Sequence, residues 1–89
     1  MTASPRVDLA IVIVSFNTSR LTIQCLRSLT ECLQTTSHQI VLVDNNSSDD
    51  TVEAVQHQYP NVKTIQLGRN LGFAVATNRG IAATNSKLV

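Results

Sequence analysis

Two short runs of apolar, mostly β-branched residues constrain the fold of this chain most strongly. They are residues 7–14 (VDLAIVIV) and 39–43 (QIVLV). Runs with so little polar alternation are typical of strands that are buried on both faces of a parallel sheet. A third run, residues 62–67 (VKTIQL), alternates apolar and polar residues, which predicts a more exposed strand at the edge of the sheet. Residues 87–89 resemble the beginning of a fourth strand.

Three helical patterns separate these runs, each with one apolar stripe. The stripes are Leu21, Cys25, Leu29 and Leu33 in the first, Val52, Val55 and Tyr59 in the second, and Phe73, Ala76, Gly80 and Ile81 in the third. Such spacing is typical of an amphipathic helix. Strands and helices therefore alternate as βαβαβαβ, which predicts an open, mostly parallel three-layer α/β sheet with right-handed crossovers. We predict the strand order 3-2-1-4.

The size and charge of the chain exclude several classes of protein. Its 89 residues fit one small domain, and its net charge is +1 with scattered Lys and Arg residues, which argues against nucleic acid as a partner. No apolar run approaches the roughly 18–20 residues of a membrane span. Residues 1–6 lack the apolar segment of a signal peptide. We therefore expect a cytoplasmic chain, with a disordered tail at residues 1–6 and one structured unit at residues 7–89.

Both cysteines of the chain, Cys25 and Cys32, fall on the first predicted helix. A spacing of seven residues separates them by about 10.5 Å along the helix axis, which is beyond the roughly 7 Å Cα limit for a disulfide. We expect both to be reduced core residues. Neither His38 nor His57 has a Cys or carboxylate at metal-ligand spacing, so the sequence predicts no metal site.

Polar residues follow each of the three apolar runs. They are Ser15, Phe16 and Asn17 after the first run, Asp44, Asn45 and Asn46 after the second, and Gly68, Arg69 and Asn70 after the third. Open α/β sheets bind their ligands in the crevice outside the carboxyl ends of the strands. These clusters therefore predict a nucleotide-type site, although neither a GxGxxG motif nor a P-loop motif accompanies them.

Individual residues of this predicted site allow more than one role. Asp44 could accept a hydrogen bond from a base or a ribose hydroxyl, or it could only cap its own loop. Phe16 could pack against a base or belong to the core. Asn45 and Asn46 suit a tight turn with left-handed backbone angles, and Asn78 could point towards the crevice. Gly80 costs about 1 kcal/mol relative to Ala in a helix interior, which indicates that something approaches the backbone closely there.

Three motifs of the chain resemble the opening motifs of the family-2 inverting glycosyltransferases in order and spacing. They are VIVSFN at residues 12–17, VDNNSSDDT at 43–51 and NLGFAVATNRGI at 70–81. Enzymes of that family have the GT-A fold. The DNNS and NxGFAxAxNxG forms are similar to the rhamnosyltransferase-like branch, which builds cell-surface polysaccharide from nucleotide sugars. The resemblance implies a dTDP- or UDP-linked sugar as the donor.

The resemblance also implies roles for individual residues. Asp44 would bind the pyrimidine base, and the loop at residues 15–17 would line the same pocket. The turn at residues 70–72 and the helix around Asn78 would lie under the ribose and the diphosphate. Thr77 stands where the family often has Arg. The candidate nucleotide-binding residues are Ser15, Phe16, Asn17, Asp44, Asn46, Asn70, Gly72 and Asn78.

The family's remaining machinery lies later in the chain than these motifs. The resemblance implies a Mg²⁺ or Mn²⁺ ion bound by a DxD motif after the fourth strand, followed by a catalytic base, whereas this sequence ends at Val89. We therefore expect the nucleotide-binding half of a transferase, truncated before the DxD motif and inactive alone. It contains no assignable catalytic residue or metal ligand. The full-length protein would work at the inner face of the membrane on a polysaccharide or glycolipid acceptor.

Two further expectations concern other functions and assembly. The alternative function is a non-enzymatic flavodoxin-like or receiver-like α/β interaction module, which the acidic residues Asp44, Asp49 and Asp50 favour. A receiver also needs paired acids after its first strand, where this chain has the sequence SFN. The order 3-2-1-4 leaves the first strand poorly covered, which predicts a homodimer through the side of the first and fourth strands.

Overall fold

The computed structural model describes residues 7–89, except for the side chain of Lys87. The disordered tail expected at residues 1–6 lies outside the described residues. The elements in chain order are β1 (Val7–Ser15), α1 (Ser19–Cys32), β2 (His38–Asp44), α2 (Thr51–Gln58), β3 (Lys63–Gln66), α3 (Phe73–Ala82) and β4 (Ser86–Leu88). The alternation of strands and helices predicted from the sequence is confirmed.

All four strands form one parallel sheet in the order β3-β2-β1-β4, as predicted. The register between β1 and β2 runs from the pair Leu9 and His38 to the pair Ser15 and Asp44. The two central strands therefore end side by side. β3 is an edge strand, which explains the alternating pattern of its sequence. β4 pairs with β1 only at Val7 and Leu9.

Hydrophobic residues pack on both faces of β2, because successive side chains of a strand point to opposite faces. On one face, Ile40 and Leu42 pack with residues of α1, α2 and the start of the third apolar run. On the other face, Val41 and Val43 pack with Ala76 of α3. All four β2 residues at 40–43 are buried, so the prediction of a strand covered on both faces is confirmed for β2. The result is the predicted three-layer arrangement.

β1 is less buried than its sequence predicts. Only Ala10 and Ser15 of its nine residues are buried, and residues 11–14 are half-buried. The reason is that β4 is three residues long and pairs only with the beginning of β1. On that side, the second half of β1 has no neighbouring strand among residues 7–89.

The prediction that both cysteines belong to the core is wrong. Cys25 and Cys32 are free and exposed, and Leu21 from the same predicted stripe is 65% exposed. The buried residues of α1 are Thr22 and Leu26 instead. Adjacent residues of a helix differ by about 100° in direction, so α1 presents a neighbouring stripe to the core.

α3 rests on the sheet through small residues. Ala76 and Gly80 are buried, whereas Phe73 and Ile81, which were predicted on the same stripe, are exposed. The close approach predicted at Gly80 is confirmed, because a Cβ at this position would lie 2.9 Å from Val43 Cγ2. In the described part of the chain, each helix is too short or too polar to cross a bilayer.

Candidate functional site

The carboxyl ends of β1 and β2 bring the first two polar clusters together. Asn17 N donates to Ser47 Oγ at 2.9 Å, and Ser48 N donates to Asn17 Oδ1 at 2.7 Å. A third contact lies two residues further along the chain, where Ser19 N, at the start of α1, donates to Asp49 Oδ2 at 3.2 Å. The two loops are therefore held together by side chains of both, on the edge of the sheet where α/β proteins bind ligands.

Asp44 is the centre of this edge. Its side chain is only 3% exposed and accepts three hydrogen bonds. Ser15 Oγ and Ser47 Oγ donate to Oδ1 at 3.0 and 2.5 Å, and Ser47 N donates to Oδ2 at 2.8 Å. Hydrogen bonds of this kind offset the cost of burying a carboxylate. The sequence left two roles open for Asp44. These contacts show that it caps its own loop, whereas a contact with a base stays a prediction.

The third polar cluster is joined to the second by Asn45. Asn45 Oδ1 accepts a hydrogen bond from Leu71 N at 2.8 Å, across 26 residues of sequence. Within the same turn, Gly72 N donates to Asn70 Oδ1 at 2.9 Å. Asn45 was expected only to suit a tight turn, and its role in joining two loops was missed. The only signal in the sequence is its place directly after the buried Asp44.

Two asparagines of the site have left-handed backbone angles. The φ angles of Asn17 and Asn46 are 53° and 70°, in a region that asparagine tolerates better than most residues with a Cβ. The expectation of such angles is confirmed for Asn46 and is wrong for Asn45, which does not have a positive φ. Asn17 and Asn46 therefore occupy sharp bends of the chain after β1 and β2.

Several candidate residues are exposed at or near this edge. Phe16 is 47% exposed, so its alternative role as a core residue is wrong. Asn46, Asn70, Gly72 and Asn78 are exposed as well. Within residues 7–89, no hydrogen bond joins Asn46 or Asn78 to the other candidates. A role for these two residues in the candidate site therefore stays a prediction.

The acidic residues Asp49 and Asp50 lie directly before α2, which begins at Thr51. Asp49 Oδ1 accepts hydrogen bonds from Thr51 N at 3.0 Å and from the Thr51 hydroxyl. The hydroxyl is the main cause that lowers the pKa of Asp49 below 3.8, against an opposing effect of desolvation, and the N–H groups of Thr51 and Ser19 lower it further.

The same acidic residues do not form a metal site. Asp44 already accepts hydrogen bonds at both of its carboxylate oxygens, and Asp49 accepts bonds from Ser19 and Thr51. Over the described range 7–89, no three His, Cys, Asp or Glu residues are placed to hold a metal ion. The residues of this part of the chain therefore do not fit the divalent ion that the sequence resemblance implies.

A cavity lies at the opposite end of the sheet, where the parallel strands begin. It has a volume of about 450 Å³ and is lined by the beginnings of the strands, including Val7, Ile40 and Val62, and by the segment around Tyr59 after α2. None of the candidate nucleotide-binding residues lines it. The candidate site is thus an open edge built from loops, and it is separate from this cavity.

Comparison with known proteins identifies the family. Residues 10–89 match Glycosyl transferase family 2. Two curated relatives are described as N-acetylglucosaminyl-diphospho-decaprenol L-rhamnosyltransferase, from Mycobacterium tuberculosis strains CDC 1551 / Oshkosh and ATCC 25618 / H37Rv. Each is 46% identical over 43 residues, which make up 48% of this chain and 14% of the relative. The chain thus spans only a small part of the curated relatives it matches.

A solved structure described as "Crystal structure of S. aureus TarS 1-349" has the same fold. Its TM-score is 0.79 at 22% sequence identity, over 92% of this chain and 26% of that one. At this identity the similarity shows the fold alone, and it agrees with the parallel α/β half of a GT-A fold. With the family match covering residues 10–89, the chain belongs to Glycosyl transferase family 2.

Proposed function

We propose that this chain is the nucleotide-binding half of a glycosyltransferase that uses a dTDP- or UDP-linked sugar. The complete enzyme would transfer the sugar with inversion to a cell-surface polysaccharide or glycolipid acceptor, at the cytoplasmic face of the membrane. Family membership and the two rhamnosyltransferase relatives support this assignment. The observation that carries it is the convergence of two loops on the buried carboxylate of Asp44, at the edge where α/β sheets bind ligands.

The exposed residues around Asp44 offer suitable contacts for a nucleotide. Phe16, at the end of β1, presents an apolar ring on which a planar base can stack. Asn70 offers an exposed amide side chain for the ribose. Gly72, at the N-cap of α3, stands before backbone N–H groups without partners in the helix, which favour an anion such as a diphosphate.

Within this proposal, Asp44 acts through its position as well as its charge. Its hydrogen bonds hold Ser15 and Ser47 in place, and Ser47 in turn accepts the N–H of Asn17. The base pocket would therefore be formed before the nucleotide arrives. Preorganisation of this kind reduces the free energy that binding loses in ordering loops.

We assign no metal-binding residue within residues 7–89. Family 2 enzymes are generally metal-dependent, and Mg²⁺ or Mn²⁺ would neutralise the departing diphosphate. Since the described carboxylates do not form a metal site, ligands for that ion would come from another part of the full-length enzyme. The same holds for the base that deprotonates the acceptor hydroxyl. We expect the 89-residue chain to transfer no sugar by itself.

Titration of the ¹⁵N-labelled chain with UDP and dTDP tests the proposal. We expect amide shifts at residues 15–17, 44–46 and 70–80, and weaker shifts with ADP, which has the same charge but a purine base. If neither UDP nor dTDP moves these amides, the nucleotide-binding proposal is wrong.

Two exposed apolar side chains allow a comparison in the same titration. Phe16→Ala should weaken UDP binding because it removes the stacking surface, whereas Leu21→Ala, the truncation of an exposed apolar residue on α1, should not. Asp44→Ala should also weaken binding, although it releases Ser15 and Ser47 as well. Equal UDP affinity of the Phe16→Ala and Leu21→Ala variants would show that the base does not stack on Phe16.

A further inference from the structure

Asn45 joins the first polar cluster of the candidate site to the turn that follows the third. It follows Asp44 directly in the second cluster and is only 4% exposed. Its backbone N donates to Ser15 O at 2.8 Å, which joins it to the end of β1. Its side-chain Oδ1 accepts from Leu71 N at 2.8 Å, which joins it to the turn before α3. Among the eight candidates named from the sequence, Asp44 also contacts both the β1 end and the β3–α3 loop, but its contact with that loop uses only its main-chain carbonyl.

The loop that Asn45 holds gains little rigidity from its own sequence. It connects β3, a strand of four residues at the edge of the sheet, to α3. Its two glycines, Gly68 and Gly72, have φ angles of 77° and 83°, and glycine leaves the backbone a wide choice of conformations. Packing of Ala76 and Gly80 on the sheet sets the height of α3, and contacts from the end of β2 act on the loop itself.

Asp44, the last residue of β2, and Asn45, which follows it, each contact one end of this loop. Leu67 N donates to Asp44 O at 3.1 Å at the beginning of the loop. Leu71 N donates to Asn45 Oδ1 at its end. The first contact uses only main-chain atoms and survives a change of side chain. The second depends on the side chain of Asn45, so this residue determines the position of the loop next to Gly72.

We infer that Asn45 is a positioning residue of the nucleotide site, which holds the α3 N-terminus at the distance from Asp44 that a bound nucleoside diphosphate requires. This inference rests on the proposed function. Asp44 keeps the β1 and β2 loops together, where the base would bind. Asn45 adds the β3–α3 loop, where the ribose and diphosphate would bind. The two neighbouring residues thus hold different parts of one ligand site.

Three variants separate this role from a general effect on folding. Asn45→Ala removes the acceptor for Leu71 N. Asn45→Asp keeps an oxygen acceptor of the same length. Gln56→Ala is the control, because it also removes one side-chain hydrogen bond, from Gln56 Nε2 to Thr64 Oγ1 at 3.1 Å, but away from the site. For each variant, amide hydrogen exchange at Leu71 measures whether its hydrogen bond to residue 45 is intact. Titration with UDP measures nucleotide binding at the candidate site.

We expect Asn45→Ala to speed amide exchange at Leu71 by about fivefold, the effect of losing one net hydrogen bond. UDP affinity should fall by a similar factor, with the loss of induced shifts concentrated at residues 70–80 and those at 15–17 retained. Asn45→Asp should restore slow exchange at Leu71 and the pattern of shifts at 70–80. Gln56→Ala should behave as the native chain.

The outcomes distinguish the inference from the proposed function. Unchanged UDP affinity and shifts in Asn45→Ala overturn the positioning role and leave the proposed function intact. Fast amide exchange at Leu71 in the native chain would overturn the positioning role directly. This measurement needs no variant, so it decides the matter even if Asn45→Ala does not fold. If the native chain protects Leu71 but does not bind UDP, the proposed function is wrong, and the positioning role falls with it.

Discussion

Gly80 of α3 packs directly on Val12 of β1, with no space between them for a side chain. A Cβ at Gly80 would overlap Val12 Cγ1 and would also lie 2.9 Å from Val43 Cγ2. The helix therefore lies close to the two central strands of the sheet. This contact fixes the height of α3 above the sheet, and α3 begins at the third polar cluster of the candidate site.

Gly80→Ala should destabilise the chain by about 1–3 kcal/mol, the usual cost of overpacking a core. Helix propensity alone predicts the opposite, a gain in stability of about 1 kcal/mol. The sign of the change in the free energy of unfolding, measured by urea unfolding, therefore decides between packing and propensity. Arg79→Ala, an exposed substitution next to it on α3, should change the free energy of unfolding by less than about 0.5 kcal/mol. A stabilised Gly80→Ala variant would contradict the close packing.

Asn17→Gly should be more stable than Asn17→Ala, by about 0.5–1 kcal/mol. Both variants remove the Oδ1 that accepts from Ser48 N. Only the alanine variant forces a Cβ into the left-handed conformation of this residue, with φ at 53°. Urea unfolding of the two variants gives the difference.

The control for this pair is Ser28, an exposed residue within α1. There the order should reverse, because glycine costs about 1 kcal/mol relative to alanine in a helix. The same order of alanine and glycine at both positions would mean that the backbone at Asn17 is not left-handed in solution.

Thr51→Val should raise the pKa of Asp49 towards 3.8, because the Thr51 hydroxyl is the main cause that lowers it. A folded-state pKa below the unfolded one means that Asp49 stabilises the fold above the unfolded pKa. This contribution is lost as the pH falls through the folded pKa. ¹³C chemical shifts of the Asp49 carboxyl group, followed from pH 6 to pH 2 at about 0.5-unit steps, measure the titration. Thr64→Val, on β3, is the control and should leave it unchanged. An unchanged titration in Thr51→Val would refute the assigned cause.

We propose that the chain forms a two-fold dimer through the β1–β4 side of the sheet. β4 covers β1 only at Val7 and Leu9, which leaves the rest of that edge free to pair within the described residues. Leu88 on β4 is 67% exposed at this edge, and Leu21 on α1 is 65% exposed elsewhere. Light scattering over a concentration series should show a dimer that Leu88→Lys dissociates and Leu21→Lys does not. A monomer at all concentrations would exclude the dimer, and dissociation by Leu21→Lys alone would place the contact on α1.

The amino-acid sequence alone was sufficient to predict the order of the elements and the topology of the sheet. The apolar run at residues 39–43 identifies a strand buried on both faces, and the alternation at residues 62–67 identifies an edge strand. Both properties are local, since they depend only on which faces of one strand meet solvent. The same runs predict that the three polar clusters lie near one another, because the carboxyl ends of parallel strands meet at one edge of the sheet.

The tertiary structure alone decided which side chains meet. Leu21 and Cys25 face solvent while Thr22 and Leu26 face the core, because the rotation of a helix depends on the elements packed against it. Likewise, the contact from Leu71 to Asn45 joins residues 26 positions apart. A hydrogen bond depends on a distance of about 3 Å between two atoms, and only the packing of three loops on one sheet edge determines that distance.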